Sequence, residues 1–328
     1  MARAWHLKSR PSGMPTNDNF EFKETNLPAL SDGHIRVRNL WLSVDPYMRG
    51  RMNDVKSYVP PFQVGEPLEG GAIGEVVESQ AEGFVPGDLV LHMAGWRDEA
   101  VVPARGVNKL PSLGVEPQKF LGVLGVTGAT AYFGLLDVAS AKEGDIVFVS
   151  AAAGAVGSVV VQLAKAKRMT VIGSAGGEDK CAFVGSLGAD RVIDYRAGPL
   201  LKSLAAAAPE GIDVYFDNVG GDHLDAAFAL ARNNARFAIC GMIAGYNDPN
   251  PASFRFIMRI IAARIRLKGF IVFDFQSRMD EFYREMGQLV AKGAVKAQET
   301  VVDGLENAPE AFLGLFKGEN TGKMLVRL

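Results

Sequence analysis

The run Ala151, Ala152, Ala153, Gly154, Ala155, Val156 and Gly157 carries the clearest chemistry in this sequence. A short apolar stretch, Asp145 to Ser150, leads into it. Apolar residues at helical spacing follow (Val156, Val159, Val160, Leu163, Ala164), closing on Lys165 and Lys167. Strand, tight turn and helix form the setting in which a dinucleotide rests its pyrophosphate on a helix N-terminus. The first N–H groups there are unpaired and carry partial positive charge. Gly154 lets the backbone approach the pyrophosphate, and Gly157 lets helix and strand pack closely. Ala152 stands where the usual G-x-G-x-x-G has its first glycine, so the reading rests on the flanking elements.

The next strand end decides which dinucleotide. A fold that binds NAD places an acidic residue about 20 residues past the glycines, on the ribose 2′-hydroxyl. Here that region is Gly173, Ser174, Ala175, Gly176 and Gly177, with no carboxylate at the strand end. Small residues leave room for a 2′-phosphate, and Lys180 follows to attract it. NADP is therefore expected, with Glu178 and Asp179 as the nearby acids that could disturb this reading. A catalytic zinc needs about three protein ligands and an open position. The first third of the chain has no cysteine, and its histidines, His6, His34 and His92, are scattered without ligand spacing. Cys181 and Cys240 read as small core residues. No zinc is expected.

The elements that must position these residues fall into two classes. Residues 1 to 120 read as short strands broken by Gly and Pro, which suggests a barrel or a sandwich. Ile35 to Arg38 alternates as a half-buried strand should. Gly70 to Glu78 and Gly87 to His92 continue the pattern. Leu121 to Leu136 reads as one buried helix. From Asp145 apolar runs and helical patterns alternate, with strands expected at Thr170–Gly173, Arg191–Ile193, Asp213–Asp217, Ala235–Gly241 and Leu267–Phe273. That alternation implies a parallel sheet. Gln276 to Lys292 is an amphipathic helix stopped by Gly293. The tail holds a short helix and a strand, Met324 to Leu328, expected to return to the first domain.

The 328 residues with a formal net charge of −2 argue against a general nucleic-acid surface. No apolar stretch reaches the roughly 18 residues of a membrane span. The opening residues, Met1 to Lys8, lack the apolar core of a signal peptide, and two cysteines form no disulfide framework. A reducing cytoplasm is expected.

Four motifs in order, Ser43 to Met52, Ala151 to Gly157, Phe216 to Gly221 and Gly318 to Lys323, together resemble one family over essentially the whole chain. It is the medium-chain dehydrogenase/reductase superfamily, in its zinc-independent branch of prostaglandin reductases and alkenal double-bond reductases. The resemblance implies an α/β protein with a GroES-like β-rich barrel domain (1–122 plus 298–328) and a doubly wound Rossmann domain (123–297). It also implies an NADPH-dependent reductase of the carbon–carbon double bond in α,β-unsaturated aldehydes and ketones, usually a homodimer. Ala153, Gly154, Ala155, Val156 and Gly157 would line the pyrophosphate. Ser174, Lys180 and Tyr195 would hold the 2′-phosphate end. Asn218, Cys240, Gly241 and Tyr246 would sit near the nicotinamide, with Phe270, Ile271 and Val272 beside it and Asn320 reaching over from the tail.

Tyr58 matches a position facing the substrate, where its phenol would hydrogen-bond the carbonyl or supply a proton; Tyr47, in a segment read mainly as a structural turn bordering the site, and Tyr246 are the other candidates. Ala262 stands where some members carry a tyrosine, which weakens a prostanoid substrate and leaves the proton donor open. Two other readings remain: a quinone oxidoreductase on the same scaffold, and an NADPH-binding protein without catalysis.

Overall fold

The structure, a computed structural model, describes residues 1–112, 114–250 and 252–328. Contacts divide the chain into two compact units. One holds residues 1–121, 299–320 and 324–328; the other holds 122–298 and 321–323.

The first unit is β-rich. β1 (Ala2–Leu7) pairs antiparallel with β2 (Phe20–Thr25). β3 (His34–Ser43) is the strand around which the rest assemble, with α1 (Tyr47–Arg51) following it. It pairs antiparallel with β4 (Ala72–Ser79) and with β6 (Glu99–Pro103). β5 (Leu89–His92) continues from β4 to β7 (Asn108–Lys109). Two register shifts along β3 against β4 let a long strand serve a curved sheet. The alternation expected from Ile35 to Arg38 is present: Ile35 and Val37 are fully buried, packed with Val76, Val90 and Ala100. Asn39, next on the same face, is a buried polar residue. Its amide is satisfied by Ala94 O, Arg97 O and the ring of His92.

The second unit begins with a helix that is broken where the sequence reads as continuous. α2 spans only Val126–Phe133, with Gly125 as its N-cap, and passes into a π-helical turn over 134–138. A side chain on Gly134 would strike the rings of Phe270 and Phe216, so the wider turn brings a bare backbone against two aromatic residues. The strands β8 (Ile146–Val149), β9 (Thr170–Ala175), β10 (Arg191–Asp194), β11 (Ile212–Asp217), β12 (Ala231–Ile239) and β13 (Arg266–Gly269) form a parallel sheet. Its order is β10-β9-β8-β11-β12-β13. Helices α3 (Ala155–Ala166), α4 (Glu178–Ser186), α5 (Leu200–Ala207) and α6 (Gly221–Leu230) fill the connections. α7 (Arg259–Ala262) and α8 (Met279–Ala291) flank β13. This is the doubly wound order in which the direction of winding reverses between the first and fourth strands, here β8 and β11.

Boundaries differ from the sequence expectation at β12, which runs Ala231–Ile239 and not Ala235–Gly241, and most clearly around β13. β13 ends at Gly269 because its partner β12 ends at Ile239, the last paired residue. Phe270 then turns its ring onto Phe216, 6.4 Å away and nearly perpendicular, and the chain enters a 3-10 turn over 272–278. That turn also delays the start of α8 from Gln276 to Met279. Phe282 and Met286 are its fully buried face, and Gly293 at φ +68 stops it.

In the tail, β14 (Glu299–Asp303) and α9 (Ala308–Lys317) precede β15 (Lys323–Arg327). β15 pairs antiparallel with Trp41, Leu42 and Ser43 of β3, so the returning strand is where the sequence placed it. Among the described residues no helix is long and apolar enough to cross a membrane.

Candidate functional site: a dinucleotide crevice and its flanking hydroxyls

The turn after β8 is built by sterics. Ala151 is held at φ +47, an unfavourable conformation for a residue with a side chain. Its carbonyl accepts from Gly154 N at 2.9 Å. A Cβ on Gly157 would collide with that same carbonyl, so close packing of α3 on the turn requires glycine there. The departure at Ala152 also has an explanation. A Cβ on Gly173 of β9 would come within 3.0 Å of the Ala152 methyl, so glycine next door makes room for it. Gly154 is the N-cap of α3 and supplies no side chain to the first N–H groups, leaving them for an anion. Gly322 donates to Ala153 O at 2.8 Å, tying the tail to the same turn.

Residues from two strand ends converge at the far end of β9. A Cβ on Gly176 would lie 2.7 Å from the Tyr195 hydroxyl and 2.8 Å from Arg196 Nε, so both side chains cover that glycine. Asp194 fastens the arrangement, accepting from Gly177 N at 3.0 Å and Arg196 N at 2.9 Å. Those N–H groups hold its carboxyl below the usual value. Lys180, on the first turn of α4, has its ammonium pushed down by burial and by the nearby Arg196 charge. Two cations near enough to feel each other's charge, one of them beside a bare glycine, suit a doubly charged anion. Glu178 and Asp179 are exposed. Ser174 is fully buried, and its hydroxyl shares a 3.0 Å hydrogen bond with His223 Nε2. Arg196 escaped the sequence reading, although it directly follows Tyr195.

At the other end, Asn218 leaves β11 with its N–H on Ser150 Oγ (2.9 Å) and its Nδ2 on Ser150 O (2.7 Å). The Cys240 thiol donates to Asn218 Oδ1 at 3.0 Å. Burial, then the charge of Asp217, pushes that thiol far above its ordinary range, so it stays protonated. The Tyr246 hydroxyl accepts from Met242 N at 3.4 Å and folds against Gly241. Phe270, Ile271 and Val272 are half-buried in the segment after β13. These residues flank the ends of β8, β11 and β12.

In the β-rich unit, Tyr58 lies on the irregular segment after α1 and is 56% exposed. Arg51 braces that segment, donating to Pro60 O (2.8 Å) and Glu69 Oε2 (2.7 Å) and stacking 4.1 Å over the Phe62 ring. Burial raises the Tyr58 phenol, while Arg51 pulls it back. Tyr47 is pushed much higher by burial and then Asp45. Asn320 follows α9, directly before the three residues that cluster with the nucleotide unit. Ala262 is exposed at the end of α7.

Comparison with known proteins agrees with this geometry. A family model described as the N-terminal domain of oxidoreductase matches residues 3–110. Another, described as zinc-binding dehydrogenase, matches residues 155–292. The NADPH-dependent curcumin reductase of Escherichia coli (strain K12) is 42% identical over 333 residues, covering 99% of this chain and 96% of that protein. The chain belongs to the zinc-independent branch of the medium-chain dehydrogenase/reductase superfamily. Another relative is a 2-alkenal reductase (NADP(+)-dependent) of Nicotiana tabacum, 38% identical over 327 residues, covering 98% of this chain and 95% of that one. The crystal structure of CurA in complex with NADPH from Vibrio vulnificus superposes with a TM-score of 0.95 at 42% identity, covering 99% and 98% of the two chains. One matched description names zinc, and the donor set here does not fit one. Among the described residues no three His, Cys, Asp or Glu side chains gather where they could hold a metal ion.

Proposed function

We propose that this protein reduces the carbon–carbon double bond of α,β-unsaturated aldehydes and ketones, with NADPH as hydride donor and no zinc. The observation that carries the cofactor is Arg196 over Gly176 with the Lys180 ammonium near enough to feel its charge, at the end of a β9 strand that presents no carboxylate. A 2′-phosphate carries the charge that complements both cations; a bare ribose hydroxyl does not. The near full-length likeness to NADPH- and NADP-dependent reductases supports the reaction class.

The site residues follow the course of the dinucleotide. Ala153 to Gly157 cradle the pyrophosphate. Ser174, Lys180 and Tyr195 hold the adenosine end, joined by Arg196. Asn218, Cys240, Gly241 and Tyr246 serve the nicotinamide end, together with Phe270 to Val272 and Asn320.

NADPH supplies a hydride to the β-carbon, and negative charge then gathers on the carbonyl oxygen. The task of the chain is to hold that oxygen with neutral donors in place of a metal. We assign the Tyr246 phenol to it, with the Tyr58 phenol as the alternative. Tyr58, raised above its ordinary value by burial, stays a neutral phenol and can donate a hydrogen bond.

The test is NADPH oxidation against a 2-alkenal, an alkyl enone, a benzoquinone and a saturated aldehyde, each repeated with NADH and with a chelator. Turnover of enal and enone, with NADPH preferred and no chelator effect, is expected. Turnover of the quinone alone contradicts the reading.

We also propose a homodimer located in the cytoplasm. β13 is an edge strand exposed along its whole length, next to exposed Ile257, Met258, Ile261 and Phe273. An edge of this kind with apolar neighbours suits pairing with a second copy. Sedimentation at micromolar protein checks it, and a monomer there contradicts it. Cys181 and Cys240 are both free, which suits a reducing compartment; recovery in the envelope fraction of cells would argue against it.

A further inference from the structure

Asp217, the last residue of β11, carries an uneven load. Its Oδ1 accepts from the Tyr215 hydroxyl (2.7 Å), Gly220 N (2.7 Å), Val219 N (2.9 Å) and Ser150 Oγ (3.2 Å). Its Oδ2 is buried with no hydrogen-bond partner among the described residues. Its main-chain carbonyl accepts from both Cys240 N and Gly241 N at 3.1 Å. The residue is 0% exposed and makes no ion pair among the described residues. Burial pushes its carboxyl above the ordinary value, against the downward pull of Gly220 N–H and the Tyr215 hydroxyl.

A turn at the end of a strand does not demand this. An exposed Asn or Ser closes such a turn without burying a carboxyl, and a buried polar group left partly unsatisfied is costly. The contacts of Asp217 show what the arrangement holds. Through Ser150 it reaches the end of β8, and through Cys240 and Gly241 the end of β12. Through Val219 and Gly220 it fixes its own turn, where Gly220 stands at φ +71 against Met242. These are the carboxyl ends of adjacent strands at the point where the winding reverses, the place where such sheets hold their ligand.

We propose that Asp217 is the positioning residue of the nicotinamide end. It locks the Asn218–Gly220 turn and the Cys240–Gly241 corner into one arrangement that aims the ring for hydride transfer. It does not touch the reacting atoms and does not govern binding of the adenosine half. The inference rests on the NADPH reading above.

The experiment uses the full chain with Asp217→Asn, and with Ser150→Ala as a gentler break in the same network. Binding of adenosine 2′,5′-bisphosphate reports the adenosine half alone. Steady-state rates with an alkyl enone, and NADPH carrying deuterium on one face of C4, report how the ring is held. Asp217→Asn lowers kcat by about tenfold or more, the scale expected when a reacting group is misplaced by a fraction of an ångström. It also lets label leave from the face that the wild-type chain retains, while bisphosphate affinity holds within about twofold. Ser150→Ala moves the same readouts in the same direction by about threefold, as for one lost neutral hydrogen bond.

Unchanged kcat and unchanged facial selectivity in the folded variants would overturn the assignment. So would a parallel loss of bisphosphate affinity, which marks a merely structural role. If Asp217→Asn does not fold, Ser150→Ala decides alone on the same criteria. If the wild-type chain oxidises no NADPH with any enone, the functional reading fails separately. The positioning role then stands or falls on whether the variants lower NADPH affinity relative to bisphosphate affinity.

Discussion

The Arg196 charge beside Gly176 pushes the Lys180 ammonium down, and a dianion placed between the two cations reverses the sign of that interaction. Lys180→Ala and Arg196→Ala are each expected to raise the KM for NADPH by about 10- to 100-fold, the scale of a lost hydrogen bond to a charged group. The KM for NADH should not change, because NADH has no phosphate to lose. Steady-state kinetics with both cofactors checks this, and an Arg196→Ala enzyme with unaltered NADPH kinetics would place the phosphate elsewhere. Lys180 was legible in the sequence because the strand end before it lacks a carboxylate. Arg196 was not. Its place over Gly176 depends on Asp194 pinning two loops from different strands, a tertiary arrangement that no local pattern records.

Elements were legible where one face is buried and hidden where backbone geometry decides. The alternation from Ile35 to Arg38 showed β3 directly, since Ile35 and Val37 point into the core. The break in α2 follows from contacts of Phe270 and Phe216 with Gly134, and the early end of β13 from the end of its partner β12 at Ile239, contacts between residues far apart in sequence. Polar pairing between strands was also hidden. His92 of β5 bonds Asn39 of β3 at 2.9 Å, and its other ring nitrogen accepts from Ala94 N at 3.2 Å. Burial lowers this imidazole to about 4, so it is neutral in the folded barrel.

The unfolded chain takes up a proton near pH 6.5, the folded one only near 4. The stabilising effect is therefore complete above about pH 6.5 and is lost as pH falls towards 4, amounting to about 3 kcal/mol at most. His223, also lowered to about 4 by burial, acts in the same direction. Urea unfolding at pH 7.5 and pH 5 should show a drop that His92→Gln reduces. A His92→Gln drop as large as that of the wild type would contradict the argument.

For the whole molecule, the order β10-β9-β8-β11-β12-β13 puts the Ala151–Gly157 turn, the Asn218 turn and the Cys240 corner around the ends of β8, β11 and β12. Within the β-rich unit, Arg51 braces the segment that carries Tyr58, and β15 of the tail completes the β3 sheet. The alternation of strand and helix made the fold class legible. The assignment of roles along the dinucleotide needed the family resemblance, because turns such as Asn218 to Gly220 look alike in many α/β proteins.

Hydride delivery to the β-carbon of an enone leaves a trace in the product. Reduction of a 2-alkenal or enone with NADPH deuterated at C4, followed by locating the label in the product, tests it most directly. The account predicts a saturated aldehyde or ketone with its carbonyl intact and deuterium on the β-carbon. Deuterium on the carbonyl carbon of an allylic alcohol, with the double bond retained, would contradict it.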